Sequence, residues 1–208
     1  MSVNPWWAPW ALNYLIEPLM RSLKMQTPSL AAMKAGDRAL DICCGTGALV
    51  LHLAQMNLFA CGIDMDPRVI KVAENKRARL GLENASFQVA NALHLPFEDS
   101  FFDYASISMT IHENPRTERD VIISEMKRVV KKEGALVFID YKVPLPKIPS
   151  SYTSKIVEIV AGKEHNQCFK DYMQQGGLDE ILRKNNLQSR KTGELGPLTI
   201  TITPNAPL

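Results

Sequence analysis

Three observations predict an α/β fold for this 208-residue chain, with a doubly wound, mostly parallel sheet and an antiparallel hairpin strand at its C-terminal end. Short apolar segments alternate with longer helical ones from Ala35 to Tyr141. Those apolar segments are nearly continuous, as in parallel strands covered on both faces. Beyond them, two β-prone segments flank glycine and Gly196-Pro197 and read as a hairpin.

Each element follows in order. Arg38–Cys43 reads as the first strand and Ala48–Met56 as the helix after it. Phe59–Ile63 is a second strand, followed by Pro67–Leu80, a helix with proline in its first turn. Ser86–Ala90 and Tyr104–Ser108 are the third and fourth strands. Thr117–Lys132 is predicted helical, with Lys131 and Lys132 at the end that favours positive charge and Gly134 as the stop. Ala135–Tyr141 is the fifth strand. A proline-spaced linker, Val143–Ser151, leads to a helical stretch from Tyr152 to Tyr172 and a further helix over Gly176–Asn186. Leu187–Lys191 and Leu198–Thr203 form the hairpin. One domain accommodates all of this: an N-terminal cap (1–34), a ligand-binding core (35–141), a second cap (142–175) and a C-terminal helix and hairpin (176–208).

Composition narrows the class of function. Lys and Arg number 24 against 22 Asp and Glu, a net charge of +2. Proteins that bind nucleic acid by neutralising phosphates carry a larger, clustered excess, so none is expected as a partner. No apolar run reaches the length of a membrane span, and MSVNPWWAPW lacks the basic start of a secretory signal, so a cytoplasmic location is expected. Cys43, Cys44, Cys61 and Cys168 provide no CxxC pair and no histidine at zinc-like spacing, and no metal site is expected. They read as reduced, structural thiols.

The chemistry gathers at the first crossover. Ala39-Leu-Asp-Ile-Cys-Cys-Gly-Thr-Gly47 ends a strand in a glycine turn that runs straight into a helix. Glycine lets the backbone adopt positive φ and approach a ligand closely, and the helix start offers unpaired N–H groups. Asp64, at the end of the second strand, is placed to take both hydroxyls of a ribose. Two details set this turn apart from a nicotinamide fingerprint. Val50 stands where a third glycine is wanted, and Asp41 precedes the turn, where a carboxylate suits a ligand ammonium and not a pyrophosphate.

This stretch resembles motif I of the class I S-adenosylmethionine-dependent methyltransferases, and the later motifs fall in order. GIDMDPRVIKVAENKRARLG is similar to the second-strand block of that family, FQVANALHLPFEDSFFDYASIS to its third and fourth strands, and ISEMKRVVKKEGALVFIDY to its fifth. The nearest group is the ubiquinone/menaquinone and phospholipid methyltransferases. The resemblance implies a Rossmann-like fold, S-adenosyl-L-methionine as cofactor, and methyl transfer to a small-molecule or lipid-like acceptor by in-line displacement. It assigns the cofactor to Asp41, Cys43, Gly45, Thr46, Gly47, Asp64, Met65, Asn91, Ala92, Leu93 and Ser108, with Met65 beside adenine. Asn91 replaces the family's usual Asp, which leaves an uncharged acceptor for the adenine amino group. The quinone methylators' segment after strand four is replaced here by Met109-Thr-Ile-His-Glu-Asn-Pro115, which argues against a quinone acceptor. No N-P-P-[YFW] element for methylating nucleic-acid bases follows that strand.

Such a reaction needs alignment and desolvation more than a catalytic triad. His112, just past the fourth strand, is the candidate base, and its near-neutral pKa suits proton removal; a loop histidine bonded to backbone is the plain alternative. Tyr141, Trp10 and Tyr14 are candidates for the acceptor pocket. Trp6, Trp7 and Trp10 form an N-terminal cluster read as a lid over the cleft, a membrane contact or a dimer surface. Two other functions remain open: a cofactor-binding protein without catalysis, and, less favoured, a nicotinamide oxidoreductase.

Overall fold

The computed structural model describes residues 20–160, 162–188 and 190–205. Seven strands form one sheet in the order β3-β2-β1-β4-β5-β7-β6. They are β1 (Arg38–Ile42), β2 (Phe59–Asp64), β3 (Ala85–Val89), β4 (Phe102–Ser108), β5 (Val130–Tyr141), β6 (Arg190–Leu195) and β7 (Leu198–Pro204). The first five run parallel; β7 is antiparallel to β5 and to β6. The helices are α1 (described over 20–30), α2 (Ala48–Gln55), α3 (Pro67–Leu80), α4 (Arg116–Val129), α5 (Pro149–Val160), α6 (Lys163–Gln174) and α7 (Gly177–Lys184), with a short 3₁₀ turn at Ile111–Glu113.

Successive strands step from β1 to β3 in one direction and from β4 to β5 in the other. Right-handed crossovers then put α2 and α3 on one face and α4 on the opposite one. The central strands are covered on both sides: Leu40, Ile42, Ala105, Ile107, Leu136 and Phe138 are all essentially without solvent contact. Burying each of the larger ones contributes roughly 1.5–3 kcal/mol. That comfortably outweighs the few polar side chains the same strands carry inward, Asp41 and Ser106 among them.

Several boundaries differ from the sequence expectation, for identifiable reasons. Helix α4 stops at Val129, because Val130 already pairs with Phe102 of β4. Lys131 and Lys132 therefore belong to the strand, and Lys131 Nζ donates to Asp103 Oδ1 at 2.6 Å. Gly134 is not a helix stop. It lies within β5 where a Cβ would meet the Asp103 carbonyl oxygen at 2.3 Å, so only glycine lets the two strands pass. The helical stretch after the linker is two helices, α5 and α6, with Gly162 between them at φ +124°. The first hairpin strand starts at Arg190, because Leu187 folds back onto α7, its N–H donating to the Leu182 carbonyl.

Candidate active site

The strand order reverses between β1 and β4, and the functional side chains collect at the carboxyl ends of these strands. Register does much of the positioning. Asp41 stands opposite Ser106 on β4 and opposite Gly62 on β2. The Ser106 hydroxyl accordingly donates to Asp41 Oδ1 at 2.8 Å. The second oxygen, Oδ2, is buried and has no hydrogen-bond partner. Burial raises the Asp41 pKa, against the pull of Lys24 and Ser106. An uncompensated buried carboxylate oxygen costs about 1–3 kcal/mol, and a cationic ligand group would relieve that cost.

The glycine turn follows. Gly45 and Gly47 both have positive φ, +55° and +79°. A Cβ on Gly47 would meet the Phe87 ring at 2.5 Å, so this glycine is required by conformation and by space alike. Asp64 holds the turn in place: Oδ2 accepts from the Gly45 N–H at 2.9 Å and Oδ1 from the Asp66 N–H at 3.0 Å. Each oxygen retains a lone pair for a ligand hydroxyl. Lys76 from α3 reaches across to Thr46 Oγ1 at 2.9 Å.

A cavity of about 460 Å³ opens over this turn. Of the residues expected from the sequence, it brings together Cys43, Gly45, Thr46, Ser108 and His112. Asp41, Gly47, Asp64, Met65, Asn91, Ala92, Leu93 and Tyr141 do not line it. Asp41 is buried among the strand ends. Met65 is exposed at the end of β2. Asn91 closes its own turn, its Oδ1 accepting from the Leu93 N–H at 2.9 Å. Tyr141 is fully buried, its hydroxyl donating to Glu158 Oε1 at 2.8 Å. Trp10 and Tyr14, with the rest of the tryptophan cluster, lie outside the described residues. Burial pushes the Cys43 thiol up to about 12, so it stays protonated and is no nucleophile at neutral pH.

The far end of the cavity holds the part that sequence reasoning missed. His112 is buried, with Nδ1 2.7 Å from Asp140 Oδ1 and Nε2 3.5 Å from Glu158 Oε1. Burial alone would lower its pKa, but Asp140 and Glu158 outweigh that and raise it well above the usual histidine value. His165 of α6 closes on Glu158 from the other side, its Nε2 in contact with Oε2. Arg119 holds this corner together. Almost without exposure, it donates to the carbonyls of Ile111 at 2.8 Å and Cys168 at 2.7 Å, and to Asp171 Oδ2 at 3.0 Å. It thereby fastens the 3₁₀ turn bearing His112 to the helix bearing His165. Nothing in the local sequence marks Glu158 or Asp140, which come to the site only through tertiary packing.

Comparison with known proteins gives the family and the fold. A demethylmenaquinone methyltransferase of Bacillus cytotoxicus is 32% identical over 127 residues, covering 60% of this chain and 53% of that protein. The chain thus spans about half the length of the curated relatives it matches. Among solved structures, a SAM-dependent methyltransferase from Aquifex aeolicus superposes with a TM-score of 0.66 at 20% identity, over 86% of this chain and 88% of that one. A geranyl diphosphate C-methyltransferase from Streptomyces coelicolor, in complex with Mg2+, geranyl diphosphate and S-adenosyl-L-homocysteine, gives 0.63 at 15% identity, over 90% and 81%. At these identities the structural likeness speaks for a shared Rossmann-like fold. The model of one family, described as a methyltransferase domain, matches residues 33–186, a span that includes the glycine turn, Asp64 and the whole histidine corner, and the chain belongs to that family.

Proposed function

We propose that this protein binds S-adenosyl-L-methionine and transfers its methyl group to a small-molecule or lipid-like acceptor. The observation that carries the reading is the unpaired, buried Oδ2 of Asp41 beneath a glycine turn. That oxygen, costly by itself, suits the ammonium group of an amino-acid ligand. Asp64 suits the ribose hydroxyls, and the Gly45–Gly47 turn admits the ligand close to backbone. Met65, Asn91, Ala92 and Leu93 are proposed for the adenine side, although they stand outside the cavity wall. When bound, the cofactor supplies an electrophilic methyl on sulfur. The residues of this chain have then only to bind, align and exclude water, an arrangement worth roughly 7–11 kcal/mol of barrier.

Ser108 and His112 border the acceptor side. The base role expected of His112 does not suit an imidazole whose pKa Asp140 and Glu158 raise well above the usual value; protonated, it donates to the polar atom of the acceptor. A lipid-like acceptor is supported by the cavity size and by the relatives, one named for demethylmenaquinone and one solved with geranyl diphosphate. Among the described residues no helix is long and apolar enough to cross a membrane.

Two measurements test the proposal. Calorimetric titration should give binding of S-adenosyl-L-methionine and of S-adenosyl-L-homocysteine and none of NAD; the reverse pattern would sink it. Incubation with methyl-labelled cofactor and fractionated extract should move label into the small-molecule or lipid fraction. Label in RNA or protein alone would overturn the acceptor class.

A further inference from the structure

We propose that His112, Glu158 and His165 form a divalent transition-metal site at the cap end of the cavity. This goes beyond the methyl-transfer reading, since the ion would bind with neither cofactor nor acceptor present. One ligand atom from each of the three residues lies within 4.8 Å of the others. In a tetrahedral site with bonds of roughly 2.0–2.1 Å, neighbouring ligand atoms sit about 3.3 Å apart. His112 Nε2 and Glu158 Oε1 are already 3.5 Å apart.

The surroundings make a stronger case than the spacing. Asp140 is an acceptor three times over, from the His112 ring at 2.7 Å, the His112 N–H at 3.2 Å and the Tyr141 N–H at 2.7 Å. Its partner on the ring must therefore be Nδ1–H, which turns Nε2 toward Glu158. The second imidazole repeats the arrangement: His165 Nδ1 is 3.5 Å from Glu113 Oε2, while Nε2 faces Glu158. One histidine braced by a buried carboxylate and a second with a carboxylate within ion-pair distance, their other nitrogens converging on a third, follow the outer-shell pattern that orients imidazole ligands. Glu158 is itself fixed by the Tyr141 hydroxyl at 2.8 Å. It is 2% exposed, and its ion-pair partners among the described residues are the two histidines alone. Two buried carboxylates, Asp140 and Glu158, and the exposed Glu113 thus face two imidazoles, an excess of negative charge that a dication would balance.

Two nitrogens and one carboxylate oxygen suit zinc, cobalt or ferrous iron better than magnesium or calcium. All three residues line the cavity, so a further coordination position would face the acceptor. An oxygen or sulfur atom of that acceptor fits it, and coordination there would lower the acceptor's pKa.

The untagged chain, stripped with chelator, provides the test. Zinc titrated by calorimetry should bind one ion per chain. Cobalt should give the intense visible absorption of a four- or five-coordinate site, and zinc should displace it. Glu158→Gln and His165→Ala should each weaken binding by at least 100-fold, and Asp140→Asn by roughly 10–100-fold. Replacement of His52 or His94, neither of which lines the cavity, should leave it intact. Because His165 is part exposed, His165→Ala keeps the test valid should a core variant fail to fold. Absence of stoichiometric zinc or cobalt binding, or binding equal in His165→Ala and wild type, would overturn the proposal in favour of a proton-linked His–Glu–His network.

Discussion

The two ends of the cavity are made by different means. At the glycine end, backbone does the work: two positive-φ glycines, N–H groups and carboxylates at the tips of adjacent parallel strands, all drawn from residues 41–64. At the cap end, side chains do it, contributed by the buried His112, Asp140 and Glu158 and the half-buried His165 and held by Arg119 from a fifth segment. The first end is a local construction that tolerates little change in backbone. The second is a tertiary assembly whose parts can shift while the sheet persists.

This contrast can be broken at either end. The largest effect is expected from Gly47→Val, which combines a left-handed conformation that a β-branched residue resists with a clash against Phe87. It should cost about 2–5 kcal/mol in denaturant unfolding and abolish cofactor binding; a variant of normal stability and affinity would show that the turn is plastic after all. Asp64→Ala comes next. It frees the Gly45 and Asp66 N–H groups and removes the carboxylate proposed for the ribose, so cofactor affinity by calorimetry should fall about 100-fold, or ~2.7 kcal/mol.

At the other end, Arg119→Met strips the carbonyls of Ile111 and Cys168 of their donor. A loss of about 2–3 kcal/mol is expected, with hydrogen exchange quickening in α6 and around His112 but not in β1 or the glycine turn. Uniform quickening would deny that the ends are separable.

The smallest effect sharpens the comparison by its sign. Burial raises the Asp41 pKa above the ordinary 3.8, so the folded chain holds that proton more tightly than the unfolded one. Stability from this group is complete below the unfolded value and is lost as pH climbs toward the folded one. Asp41→Asn should therefore stabilise the ligand-free protein by about 1–2 kcal/mol at pH 7, with the gain fading near pH 4, while weakening the cofactor. A destabilised variant at pH 7 would contradict the unpaired state of Oδ2.

How much was legible in the sequence divides along the same line. Gly45, Gly47, Asp41 and Asp64 were readable because a strand–turn–helix motif dictates its own geometry within a few residues. His112 was found by its place after a strand, whereas its partners were not, since nothing adjacent to Glu158 or Asp140 records which helix will fold over them. Tyr141 was expected at the pocket and instead stands behind it, bracing Glu158. The α4–β5 junction was misread for a related reason. Helical spacing and the lysine pair favoured continuation to Lys132, but pairing with β4 from Val130 prevailed, a tertiary preference over a local one.

The position of β7 matters to how the chain is made. This strand, buried from Leu198 to Thr203, sits between β5 and β6, and not at a margin of the sheet. Until those residues dock, one edge of β5 stays open, presenting Val137, Phe138 and Ile139 as an apolar template for another chain. While β7 is undocked the folding protein therefore carries an almost complete but sticky sheet, the interval in which a chaperone has most to do.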